Sequence, residues 1–201
     1  MSAPVRRRGP GSRADASHPT HLELLDAAIA VADRDGLSGL SVNEVTREAG
    51  LAKGTFYVHF TDRGTLLVEL HRRFHDELFA AIAEATAAEE PGPARARARI
   101  TAFLDGCRRQ AGVRAMLLQA RSEPAILDEV TRRNHEAAQL LAGDLRGSAE
   151  HPLETARLLV AATAEVALHE LNAGRSLPRL RAALDALLPQ PDVGLSTTRG
   201  D

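Results

Sequence analysis

Apolar residues recur at three- and four-residue intervals along most of this 201-residue chain, and strand-type alternation is absent. The pattern predicts an all-α fold. Leu24, Leu25, Ala28, Ile29 and Ala32 mark one face of a helix over 19–34, opened by Pro19 and stopped before Asp35-Gly36. Two short helices follow at 42–49 and 53–59. A long one over 62–88 carries the stripe Leu66, Leu67, Leu70, Phe74, Leu78 and Ile82. Glu89-Glu90-Pro91-Gly92-Pro93 is a loop. Beyond it Ile100, Phe103, Leu104 and Cys107 define a helix over 94–110, and Gly112 opens a short one through Met116, Leu117 and Leu118. The turn Ser122-Glu123-Pro124 leads into a helix over 125–146 with the stripe Ile126, Leu127, Val130, Asn134, Ala137 and Leu141. Asn134 interrupts this stripe, as does His135, and a buried polar side chain must find a partner. After a break at 147–152 come an Ala/Leu-rich helix over 153–173 and a last one over 177–188, with Leu180, Leu184, Leu187 and Leu188 inward.

Composition narrows the class. Residues 1–17 are rich in Pro, Gly, Ser and Arg and cannot bury a core, so they read as a disordered arm, as does the tail 189–201. Arg6, Arg7, Arg8 and Arg13 could carry that arm to DNA, the alternative being a solvated tail. No apolar run spans a membrane and no secretory h-region is present, so no membrane contact and a cytoplasmic location are expected. The single cysteine, Cys107, excludes an intramolecular disulfide. A net charge of −2 excludes a generally basic nucleic-acid coat; residues 1–63 balance eight Arg/Lys against eight Asp/Glu. Any DNA affinity must therefore come from local placement. Lys53 is the one lysine among 25 basic residues.

The organising stretch is 40–67. Ser41 and Glu44 form the capping-box pattern S-x-x-E, and Gly50 stands where a helix end calls for a left-handed residue. Asp62 caps the next helix. Two short helices around an Ala-Gly turn are the pattern of a helix-turn-helix, whose second helix enters the major groove. Ala49-Gly50-Leu51, Lys53-Gly54-Thr55-Phe56-Tyr57, His59-Phe60, Asp62-Arg63 and Leu66 together resemble the TetR family of bacterial transcriptional regulators, with the run G-T-F-Y-x-H-F intact. The resemblance covers residues 20–67. Ser41, Arg47, Lys53, Gly54, Thr55, Tyr57, His59 and Arg63 form the expected DNA-binding set, with Phe56 and Phe60 turned inward as core. Two positions depart from the family pattern: Ala52 stands where Ser or Thr usually caps the recognition helix, and Gly64 where glutamate is usual. Arg63 takes the usual lysine position, and a cation at a helix N-terminus suggests service to an outside phosphate.

The resemblance implies a three-helix DNA-binding domain over 18–66 and a helical ligand-binding and dimerisation domain over 67–188. It also implies a homodimer through the last two helices, a double-stranded operator and a small-molecule effector. The expected activity is repression of a palindromic operator, relieved by the effector. Activation, and a ligand-binding protein without DNA function, are the alternatives. Phe103, Cys107, Met116, Asn134, Glu165 and His169 combine apolar lining with a few polar groups and form the expected effector pocket, although each also reads as core or dimer interface. An enzyme is not expected: there is no phosphate loop, nucleophile elbow or C-x-x-C, and no cofactor is implied. His71 and His75 have the spacing of two metal ligands without a third. They read as exposed histidines on a charged face beside Asp76 and Glu77, with no metal site. Glu165 and His169 likewise lack a third member.

Overall fold

A computed structural model describes residues 18–189, so the expected arginine arm and all but the first residue of the expected tail lie outside the described residues. The described residues form nine α-helices and no strand: α1 Pro19–Gly39, α2 Val42–Glu48, α3 Lys53–His59, α4 Arg63–Ala85, α5 Pro93–Arg109, α6 Ala111–Gln119, α7 Pro124–Asp144, α8 Pro152–Ala173 and α9 Pro178–Asp185. A single 3-10 turn, Ala120–Ser122, joins α6 to α7. None of these helices is long and apolar enough to cross a membrane.

The elements follow the apolar periodicity, with differences in extent at α1, α4 and α9. Helix α1 does not stop at Arg34: it breaks at Gly36 (φ 67°, ψ −167°), and the chain makes a further helical turn to Gly39. Glycine takes that positive φ without the steric penalty a Cβ would bring. Helix α4 starts after Asp62, whose Oδ1 accepts from Thr65 N (2.8 Å) and Thr65 Oγ1 (3.1 Å). It ends at Ala85 rather than 88.

The chain divides into two compact units, residues 18–75 with 111–130, and 76–110 with 131–189. In the first, α1 packs on α2 and α6, and α2 on α3. Its core holds Leu24, Ala28, Val31, Val45, Phe56, Phe60, Leu66, Leu67 and Leu70, all buried. The approach of α6 to α1 is close: a Cβ added at Gly112 would stand 1.9 Å from Asp33 Oδ1. His71 and His75 are buried on the core side of α4, 4% and 7% exposed, with rings stacked at 4.1 Å. This overturns their reading as exposed histidines. They continue the stripe, four residues after Leu67 and three before Leu78, while Arg72, Asp76 and Glu77 take the exposed face.

In the second unit α5 packs on α8 and α8 on α9. Its core includes Ile100, Leu104, Cys107, Leu141, Leu145, Leu159, Val166 and Leu184. Two buried carboxylates are neutralised there. Asp144 meets Arg95 at 2.6 Å and Arg99 at 3.1 Å. Glu170 accepts from Leu177 N (2.8 Å), Ser176 Oγ (3.2 Å), Arg181 Nε and Arg181 Nη2 (both 2.7 Å), and Arg181 continues to Asp105 at 2.8 Å. Three expectations about facing are corrected. Asn134 and His135 are exposed, and the polar members of the buried face of α7 are Glu129, Arg133 and Asp144, whose spacing keeps them in line with Ile126 and Leu141. Leu127 is exposed on the opposite side of that helix. Leu187 is exposed because α9 ends at Asp185, and the turn that follows inserts Leu188 instead.

Candidate nucleic-acid interface

The interface is built from a braced turn. Ser41 adopts extended backbone at the start of α2 and its Oγ accepts from Glu44 N at 3.2 Å. The Glu44 carboxylate turns to Arg47. At the other end of α2, Gly50 takes φ 66°, Leu51 N donates to Thr46 O (2.8 Å) and Gly50 N to Arg47 O (3.2 Å). This pair of bonds is the Schellman motif, which satisfies the last carbonyls and fixes the exit direction of the chain. Helix α3 then begins at Lys53 behind Ala52, which makes no side-chain cap.

The seven residues of α3 and its C-cap Phe60 sort into two faces. Phe56 and Phe60 are buried with ring centroids 5.3 Å apart, as expected. Lys53, Gly54, Tyr57 and Val58 face outward, with Tyr57 52% and Val58 43% exposed, while Thr55 and His59 are half-buried. A Cβ at Gly54 would meet nothing within 4 Å, so this side of the helix is bare. No ion pair to Lys53 forms among the described residues. Arg47 pairs with Glu44, and Arg34 with Asp35 (3.0 Å) and Glu48 (2.9 Å). Exposed pairs of this kind are worth at most about 1 kcal/mol and exchange readily. The outward surface thus carries a lysine, a phenol, two half-buried donors and an apolar β-branched side chain. These are the groups that meet phosphates, base edges and thymine methyls.

Arg63 is placed differently from the expectation. Its Nε donates to Leu40 O (2.7 Å), Nη2 to Leu37 O (3.1 Å) and Nη1 to Glu123 Oε1 (3.0 Å). The guanidinium therefore braces the carbonyls at the broken end of α1, where Leu37 O also accepts from Leu40 N at 3.2 Å. On the same segment Leu37 N donates to Gln119 Oε1 at 3.3 Å. Gly64 also has a packing reason: a Cβ there would lie 3.3 Å from the Ala125 Cβ, so glycine admits the first turn of α7. At Asp62 the Thr65 amide and hydroxyl hold the carboxyl below its ordinary range, and the carboxylate caps α4.

The sequence reading missed His18, Thr20 and Val58. With Ala52, Gly54, Thr55 and His59 they line an open concavity of about 590 Å³ beside α3. The signal available for His18 was its position just before Pro19, the N-cap of α1; its Nδ1 accepts from Thr20 N at 3.2 Å. Its ring lies 5.3 Å from that of His59, and His21 stacks on Phe60 at 4.5 Å.

The expected effector residues do not share one environment. Cys107 and Met116 are buried, Phe103 is half-buried, and Asn134, Glu165 and His169 are exposed. Glu165 and His169 pair at 3.0 Å on the outer side of α8. Met116 belongs to the first compact unit and the other five to the second.

A three-helix unit with a braced turn and a polar, outward second helix defines the helix-turn-helix class of DNA-binding fold. Residues 24–70 match the family model described as bacterial regulatory proteins, tetR family. The likeness to the TetR family is thus established over the helix-turn-helix region. It is 30% identical over 54 residues to the fatty acid metabolism regulator protein of Bacillus subtilis. It spans only 28% and 23% of the length of the two curated relatives it matches, within 45–54 aligned residues. Solved structures extend the likeness through the body. The multidrug binding protein EbrR, complexed with imidazole, is 26% identical with a TM-score of 0.72, covering 92% of this chain and 99% of that one. A transcriptional regulator from Rhodococcus sp. Rha1 is 25% identical with a TM-score of 0.70, covering 83% and 92%.

Proposed function

We propose that this protein is a homodimeric repressor that binds a palindromic operator and is released by a small-molecule effector, with 18–66 as its DNA-binding domain and 67–188 as its effector and dimerisation domain. The observation that carries the reading is the outward face of α3, where Lys53, Tyr57 and Val58 stand exposed on a turn braced at both ends. Lys53, Thr55, Tyr57 and His59 take phosphate and base-edge contacts, and Gly54 lets the backbone approach the duplex. Ser41 and Arg47 reach the neighbouring backbone from α2. Arg63 contributes by holding α1 and α2 in place.

Two copies joined through α8 and α9 present two recognition helices to half-sites about 34–36 Å apart. The outward Leu158 and Leu187 support that interface, since a leucine 73% exposed on a long helix gains by burial. The effector acts by its different affinity for the DNA-competent and released conformations. Cys107 and Phe103 line its site in the body, and the similarity to EbrR, a multidrug binding protein, supports such a site. The exposed pair Glu165–His169 fits the subunit interface better than an interior pocket.

Selection of genomic DNA fragments on the purified protein tests the reading. Enrichment of one palindrome, lost on Tyr57→Ala, is the expected result. Binding that is weak, salt-sensitive and without sequence preference would remove the operator.

A further inference from the structure

We propose that His18 is a backbone-phosphate ligand of the DNA complex, so that the interface reaches from the recognition helix to the start of α1. The inference rests on the DNA-binding reading above and adds to it a residue and a place.

The His18 ring is held in one orientation and one tautomer. Thr20 N is a donor, so the His18 Nδ1 that receives it at 3.2 Å is an acceptor. In the neutral imidazole the hydrogen then sits on Nε2, at the far side of the ring from the α1 backbone. Turning the ring would lose the cap, so Nε2–H is a pre-positioned donor. Among the described residues, the concavity of about 590 Å³ that it lines carries no carboxylate: Thr20, Thr55 and His59 are its other polar members and Ala52, Gly54 and Val58 its apolar walls. His18 and His59 stand together at 5.3 Å between ring centroids. A cavity edged by hydrogen-bond donors, with no acidic group in its lining among the described residues, suits an anion, and its size admits a sugar–phosphate unit. Because Thr55 and His59 belong to α3, a duplex seated on the recognition helix runs its backbone past this opening.

His18 also caps α1, and the test must separate capping from contact. His18→Ala removes both. His18→Asn keeps a capping oxygen, since asparagine is among the strongest N-caps, but its short amide does not reach the position of Nε2. The full-length protein is titrated with the selected operator fragment, and phosphate ethylation interference is read on the same complex. Affinity falls about tenfold in both variants, the scale of one hydrogen bond to a charged group. Thermal stability falls only in His18→Ala. In His18→Asn, one phosphate per half-site whose ethylation blocks the wild-type protein becomes indifferent. Wild-type affinity in His18→Asn, or an unchanged ethylation pattern, leaves His18 as a cap alone and overturns the inference while the operator reading stands. Failure of the wild-type protein to select any DNA overturns both.

Discussion

Glu170 illustrates how one side chain fixes a local arrangement. Its carboxylate gathers the end of α8, the Ser176-Leu177 link and Arg181 of α9 around a buried centre. The hydrogen bonds from Arg181, then those from Leu177 N and Ser176, hold its carboxyl below the ordinary carboxylate range. The folded state therefore binds this proton less tightly than the unfolded chain. The stabilisation is complete above the unfolded carboxylate pKa and is lost as pH falls through the folded value. Glu170→Gln should cost about 1–3 kcal/mol in urea denaturation at neutral pH by weakening the charge-assisted hydrogen bonds of Arg181, which keeps Asp105 as its remaining carboxylate partner. The variant should also lose part of the wild-type decline in stability on acidification. At this scale the sequence was legible where local geometry decides. Ser41, Gly50 and Asp62 were readable because a cap or a positive φ needs a particular residue type. It misled where a polar residue had two uses. His71 and His75 were judged by their charged neighbours rather than by their register with Leu67 and Leu78. Arg63 was judged by its place at a helix start, whereas the carbonyls of Leu37 and Leu40, brought near by the fold, claim it. No local pattern records that claim.

Helices are spaced in this protein by small residues at chosen points. A Cβ at Gly106 of α5 would stand 2.2 Å from Leu78 Cδ1 of α4. Gly106→Ala gains roughly 1 kcal/mol of helix propensity but must push a buried leucine from its rotamer, at about 1–3 kcal/mol. A net loss of about 1 kcal/mol is expected in urea denaturation. A double-mutant cycle with Leu78→Ala should show coupling of at least about 0.5 kcal/mol. On the DNA side, Lys53→Ala with Tyr57→Ala should abolish operator binding in a mobility-shift titration while the circular dichroism melt stays within a few degrees of wild type. Retained affinity would mean that α3 is not the reading helix. The bounds of α3 and the buried stripe of α4 were legible because spacing and punctuation agree there. The extension of α1 past Gly36 was not, since Asp35-Gly36 reads as a stop and distant side chains, Gln119 at Leu37 N and Arg63 at Leu37 O, support the added turn.

For the whole molecule, the proposed dimer makes its own demand. Leu158→Glu replaces the most exposed leucine of α8 by a charge and should move the protein to half its mass in sedimentation velocity, with operator affinity falling alongside. A variant that sediments as wild type would move the interface elsewhere. The sequence could suggest that interface only through family resemblance, because a leucine facing solvent and a leucine facing a neighbour have the same spacing. The division of the chain into units carries a consequence for synthesis. Residues 18–75 are completed by 111–130, through α6 on α1, Gln119 at Leu37 and Glu123 at Arg63. A ribosome adding about 5–20 residues per second delivers residue 130 roughly 3–11 s after residue 75. For that interval the nascent α1 has its later partner surface bare and its broken end only half supported, so the DNA-reading end of the protein, made first, matures only after part of the body has left the exit tunnel.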